Sequence, residues 1–138
     1  MSDFYTDGSA VPNPGIGGYA VILDGKPVAL GNAPASTNIR MEATALIAAY
    51  NLAKDGDTIH TDSEFWINVV KKWAPTWKNN NWTKKNGAIK NLDLVKKLYT
   101  AYKAKPLVVL SWTRGHVGTA GNELADEWAN KARERATL

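Results

Sequence analysis

The chain has 138 residues and no cysteine. Disulfides, thiolate zinc sites and thiol nucleophiles are therefore excluded. It has two histidines, His60 and His116, too few for an all-histidine metal centre. Any metal must then rest mainly on carboxylates. No apolar run approaches the roughly 20 residues that a bilayer-spanning helix needs. Met1-Ser2-Asp3 has neither a basic n-region nor an apolar h-region, so no secretory leader is expected and the cytoplasm is the expected compartment. The chain contains no internal repeat, no low-complexity tract and no signal for oligomerisation, so a monomer is expected.

An apolar content of 44% is that of a globular protein. The length fits one domain, 1–138, with enough chain to build a real core. The net charge of +4 hides a division. Residues 70–105 carry ten lysines and one acid, Asp93, and are +9; the remainder carries 7 basic and 12 acidic residues and is −5. Such asymmetry in a small chain points to a polyanionic partner. The plain alternative is a solvated lysine-rich face.

Residue patterning predicts three strands first. Residues 4–7 form a short strand stopped by Gly8-Ser9, and a tight loop follows through Pro12, Pro14, Gly15, Gly17 and Gly18. Residues 19–23 form a second strand, Asp24-Gly25 a hairpin turn, and 27–31 a return strand at a sheet edge. Thr37-Asn38 can cap a helix in which Ile39, Ala43, Leu46, Tyr50 and Ala53 recur at spacings of four and three. Asp55-Gly56-Asp57 ends it, and 58–61 form a short strand followed by Asp62. Residues 65–70 read as helix, as do 91–103 with Leu94, Val95, Leu98 and Tyr102 on one side. Residues 107–112 suit a buried strand, and Leu124, Ala125, Trp128, Ala129 and Ala132 mark a last helix. This order implies an α/β domain: a mixed sheet with an antiparallel half and a parallel half covered by helices.

Several acids stand where acids are costly. Glu42 follows Ile39 by three residues and precedes Leu46 by four, so it shares their apolar face. A carboxylate facing a core must be paired, hydrogen-bonded or metal-bound. A buried partner such as Arg40 or Arg114 is the alternative to a metal. Asp7 and Asp62 fall at predicted strand ends, where sites of α/β sheets gather, although turn-capping would also explain either one. Asp126 lies near the start of the last helix, where the helix dipole alone favours an acid. One metal site accounts for all four together, and hard oxygen ligands select Mg²⁺ or Mn²⁺. His116 lies among Gly115, Gly118 and Gly121 and suits proton transfer near neutral pH. His60, in mid-strand, reads as structural.

These residues sit in motifs that resemble type 1 ribonuclease H from about residue 4 to residue 135. In order they are T-D-G-S at 6–9, N-P-G-x-G-G-Y at 13–19, T-N-x-R-M-E at 37–42, T-D-S at 61–63, G-H-x-G at 115–118 and N-E-x-x-D at 122–126. The resemblance implies a ribonuclease H-like fold: a five-stranded mixed sheet, the first three strands antiparallel and two parallel, flanked by helices. It implies endonucleolytic hydrolysis of the RNA strand of an RNA–DNA hybrid, leaving a 5′-phosphate and a 3′-hydroxyl. It places two divalent ions on Asp7, Glu42, Asp62 and Asp126, and has His116 shuttle a proton or assist product departure. It assigns Asn13, Thr37, Asn38 and Glu64 to the hybrid backbone or ribose hydroxyls. It likens residues 72–91 to the basic protrusion of bacterial members, with Trp73, Trp77, Trp82, Lys84, Lys85, Lys90 and Asn91 as further substrate contacts. The tryptophans could equally wedge that protrusion onto the body. The chain departs from the family pattern at Glu64, where glutamine is expected, and at Ala10, where some relatives have cysteine. It also ends soon after the last helix, without the longer tail of many bacterial members.

Two other functions share some of these features. A junction resolvase or integrase core would reuse the acids but not Thr37-Asn38 or the tryptophan–lysine set. A non-catalytic hybrid-binding module would gain nothing from acids clustered against phosphates. Fold alone does not separate the three.

Overall fold

A computed structural model of the chain describes residues 1–85, 87–114 and 120–135. Five strands form one sheet in the order β3-β2-β1-β4-β5. β1 (Asp3–Val11), β2 (Gly15–Leu23) and β3 (Lys26–Ser36) are an antiparallel meander, with β3 at the edge. β4 (Thr58–Thr61) joins β1 in parallel, and β5 (Val109–Trp112) joins β4 in parallel. The expected mixed sheet is present, with α1 (Asn38–Leu52) and α5 (Ala120–Arg135) packed on β1 and β2.

The first strand is longer than its sequence suggests. Gly8-Ser9 is not a stop: β1 runs through it to Val11, so Asp7 lies in mid-strand. Gly8 is needed for packing rather than for a turn. A Cβ there would overlap the Met41 carbonyl carbon and sit 2.5 Å from the Glu42 nitrogen. The missing side chain lets α1 rest directly on the strand. The glycines assigned to the following loop belong to β2 for a similar reason, since a Cβ on Gly18 would overlap the Ala129 carbonyl of α5.

Thr37 caps α1, its hydroxyl accepting from the Arg40 N–H at 3.1 Å. The helix buries Ala43, Leu46, Ala49 and Tyr50, whereas Ile39, assigned to that stripe, is exposed. The helix expected over 65–70 extends further. α2 (Glu64–Asn68) passes through a π-turn (Val69–Trp73) into α3 (Ala74–Asn79). Pro75, in the first turn of α3, has no N–H to give, which suits a point where the regular ladder is already interrupted. α4 (Leu92–Ala104) buries Leu94, Val95, Leu98 and Tyr99, with Tyr102 only partly buried. These side chains join Trp66, Ile59 and Phe4 in the core between α1, α4 and the sheet. On α5 the buried stripe is Asn122, Ala125, Ala129 and Ala132, and Leu124 and Trp128 lie at its margins.

Candidate active site

The parallel register pairs Tyr5 with His60. Continued by two residues, it sets Asp7 beside Asp62, just past the end of β4. Glu42 is delivered from above by the close approach of α1 to Gly8. Asp7, Glu42 and Asp62 each offer a carboxylate oxygen within 4.8 Å of the others. Asp126, in the second turn of α5, lies outside that mutual distance, and a hydrogen bond between its carboxyl and that of Asp7 favours the neutral form of Asp7.

Their proximity is electrostatically unfavourable without a cation. Burial pushes the Asp7 carboxyl up to about 8, with the Asp62 charge and the bond to Asp126 adding to it. Burial also pushes Glu42 up to about 7, opposed by a hydrogen bond from Ser63 and reinforced by Asp62. Three oxygen donors that repel each other when charged are a suitable environment for a hard divalent ion. The residues present therefore fit the metal that the sequence motifs imply.

Residues that the sequence reading did not assign to the site hold these acids in place. The Ser63 hydroxyl supports Glu42 and also accepts from the Trp66 N–H at 3.3 Å, capping α2. Trp66 is fully buried, and its Nε1 donates to the Ile39 carbonyl at 2.7 Å, tying α2 to α1. Trp112 Nε1 donates to the Asp62 carbonyl at 3.2 Å. Asn122 Nδ2 donates to Thr113 Oγ1 at 3.1 Å, anchoring the start of α5 one turn before Asp126. Serine beside an acid and asparagine one turn before one are the signals that could have found them.

Arg40, the possible partner for Glu42, turns elsewhere. Its guanidinium makes a two-pronged pair with Asp93, at 3.0 and 2.8 Å, and donates to Asn91 Oδ1 at 3.1 Å. That pair holds the Asp93 carboxyl down at about 2.

Asn13, Thr37 and Asn38 meet at one corner, between the β1–β2 turn and the start of α1. Asn13 Oδ1 accepts from the Asn38 N–H at 3.1 Å, and Asn38 Oδ1 from the Ala10 N–H at 2.6 Å. Glu64 is exposed in the first turn of α2. Asn91 has left-handed backbone (φ 58°) just before α4. Trp73 is 39% exposed, with Phe65 edge-on at 5.9 Å and Trp77 tilted at 6.1 Å. Phe65, Trp73, Trp77, Lys84 and Lys90 border a cavity of about 310 Å³. Trp82 is not among them: it packs edge-on against Tyr99 at 6.2 Å. Lys85 is exposed in the turn beyond α3. His116 lies outside the described residues. His60 stacks on Tyr5 at 4.5 Å and pairs through Nε2 with Asp3 at 2.9 Å, away from the acids.

A five-stranded mixed sheet with carboxylates gathered where two parallel strands meet a covering helix defines an α/β domain equipped to hold divalent cations. A family model described as RNase H matches residues 2–134, and the chain belongs to the ribonuclease H family. It is 42% identical to the ribonuclease H of Francisella tularensis subsp. novicida over 134 residues, 93% of this chain and 88% of that protein. It is 39% identical to the ribonuclease H of Methylorubrum extorquens over 137 residues, 96% of this chain, and spans 60% of that longer relative. Among solved structures, LC9-RNase H1, described as a type 1 RNase H with the type 2 active-site motif, matches with a TM-score of 0.82 and 28% identity. The match covers 97% of this chain and 72% of that one.

Proposed function

We propose that this protein hydrolyses the RNA strand of RNA–DNA hybrids, leaving 5′-phosphate and 3′-hydroxyl ends, with Mg²⁺ as the natural cofactor and Mn²⁺ able to replace it. The observation that carries this reading is the convergence of Asp7, Glu42 and Asp62 within 4.8 Å in a chain of the ribonuclease H family. Asp7, Glu42 and Asp62, with Asp126 completing the set, are the residues to hold two ions. Bound there, the ions would lower the pKa of an attacking water and stabilise the departing 3′ oxygen.

The chain's own residues perform the remaining tasks. Gly8 sets the depth of Glu42, and the Ser63 hydroxyl favours the charged form of the Glu42 carboxyl and orients it. Asn13 and Asn38 use their side-chain oxygens internally, so their NH₂ groups are the donors left for phosphate or ribose oxygens. A contact of that kind with the 2′-hydroxyl distinguishes RNA from DNA. Thr37 and Glu64 make further contacts with the hybrid backbone or ribose hydroxyls, and His116 serves proton transfer or product departure. The segment at 72–91 meets the hybrid through the cavity of Trp73, Trp77, Lys84 and Lys90, with Lys85 and Asn91 beside it. Trp82 supports that segment from behind. The protein acts as a cytoplasmic monomer.

The test is a comparison of substrates. With Mg²⁺ present, the protein should cut a matched hybrid and leave duplex RNA and duplex DNA intact. Cutting of duplex DNA, or no cutting of the hybrid, sinks the reading.

A further inference from the structure

The lysines of the +9 segment serve two cavities rather than one. The first is the cavity of Trp73, Trp77, Lys84 and Lys90. The second, of about 460 Å³, is bordered by Lys78 and Trp82 and by Lys96, Tyr99, Thr100 and Lys103 of α4. The α4 positions advance by three and four residues, so they form one stripe of the helix. Val95, the neighbour of Lys96, borders the first cavity. The two cavities therefore flank α4 on different sides.

The second cavity also lies toward the far end from the acids. α1 and α4 run parallel, since Arg40 joins their first turns through Asn91 and Asp93. At the other end, Lys105 Nζ donates to the carbonyls of Tyr50 and Ala53. Glu42 is near the start of α1, and Lys103 is in the last turn of α4. At 1.5 Å per residue, Lys103 is about 18 Å along the helix from Asn91.

This cavity is organised for an anion. Lys78 Nζ stands 5.9 Å from the centre of the Tyr99 ring, and Lys96 Nζ stands 5.7 Å from that of Trp82. The rings attract the ammonium groups and hold them at the cavity. Among the described residues no acid lines it, and the one acid of the segment, Asp93, is already paired with Arg40. A solvated lysine face needs neither an aromatic floor nor a concavity. A volume of this size takes a nucleotide-sized group, too small for a duplex. Aromatic side chains interleaved with lysines are how single strands are held without regard to sequence.

We propose that the cavity between α3 and α4 is a second nucleic-acid site, which takes the phosphates and bases of a single strand. The identification of the polymer rests on the ribonuclease H reading, but the binding itself can be tested without cleavage. The probe is a fluorescently labelled oligothymidylate of about ten nucleotides, titrated by anisotropy at several salt concentrations. The triple variant K78Q/K96Q/K103Q should bind about tenfold more weakly, with a log–log salt slope shallower by about 2. K26Q/K54Q/K131Q, which removes the same charge from exposed lysines outside the segment, should retain most of the single-strand affinity. Unchanged binding by the first variant, or equal loss in both, overturns the proposal. So does displacement of the strand by polyglutamate as effectively as by unlabelled oligothymidylate, because the site would then read charge alone. Melting curves check that both variants fold. Failure of the wild-type protein to cut hybrid would overturn the proposed function, and the strand titration would still decide this site.

Discussion

The acid cluster and the lysine segment carry opposite charge, and they are built in opposite ways. The acids are partly buried and confined by backbone contact, and Asp7 and Glu42 are raised in pKa by burial and by the charge of Asp62. The lysines other than Lys105 are exposed, and Lys78 and Lys96 stand over aromatic faces while staying in water. The first region is held against its own electrostatic preference, which makes it ready for a cation. The second is comfortable as it stands and gains mainly from the counterions it releases when it binds. Catalytic placement should therefore be sensitive to single substitutions, while binding should fall in small increments.

The largest expected effect comes from Asp7→Asn. Loss of one carboxylate from the cluster should lower hybrid cleavage by about three orders of magnitude while hybrid binding stays largely intact. A near-normal rate in single-turnover assays would remove Asp7 from the cluster's work. Next is Gly8→Ala, which should lift α1 off β1. An overpacked contact of this kind costs about 1–3 kcal/mol of stability. The misplaced Glu42 should lower activity by up to about 100-fold, read from denaturant midpoints and initial rates.

The metal-free protein should also respond to pH. Asp7, at about 8, and Glu42, at about 7, are both raised above their ordinary values of 3.8 and 4.5. The folded state therefore keeps protons that the unfolded state releases. The stability from this source is complete below about pH 4 and is lost as pH rises through about 7 to 8. In chelator, the difference in Tm between wild type and Asp7→Asn should widen toward alkaline pH in favour of the variant, by about 5 °C. Mg²⁺ should reduce that difference, and its own affinity should fall as pH is lowered. The smallest effect belongs to the lysines. Each of Lys84, Lys85 and Lys90 replaced by glutamine should reduce the log–log salt slope of hybrid binding by up to about one unit, and an unchanged slope would show that they are merely solvated.

Much of the fold was legible from periodicity. The three-strand meander, α1 with its Thr37 cap, α4 and the closing helix lie where the apolar spacing puts them. The strand ends are less legible: glycine reads as a local signal, a stop after Asp7 and a loop before Tyr19, whereas Gly8 and Gly18 answer to helices that cross them from far along the chain. The same limit hid the π-turn, because one residue more per turn leaves little trace in a short apolar pattern. In the site, Asp7, Glu42 and Asp62 were conspicuous because an acid on an apolar face or beside a strand stands out. Ser63, Trp66 and Asn122 were not, because a serine, a buried tryptophan and a helix-start asparagine each have ordinary uses. Trp82 shows the converse: its place in the sequence sets it with Trp73 and Trp77, and packing sets it beside Tyr99 instead.

The contact at Gly8 also bears on transplantation. Grafting these acids onto another sheet would take more than two aspartates on neighbouring parallel strands and a glutamate on a helix above them. The host strand would need a bare position immediately after its first aspartate, with the helix backbone lying on it. Without that vacancy, the same carboxylates would be present in the composition and separated in space.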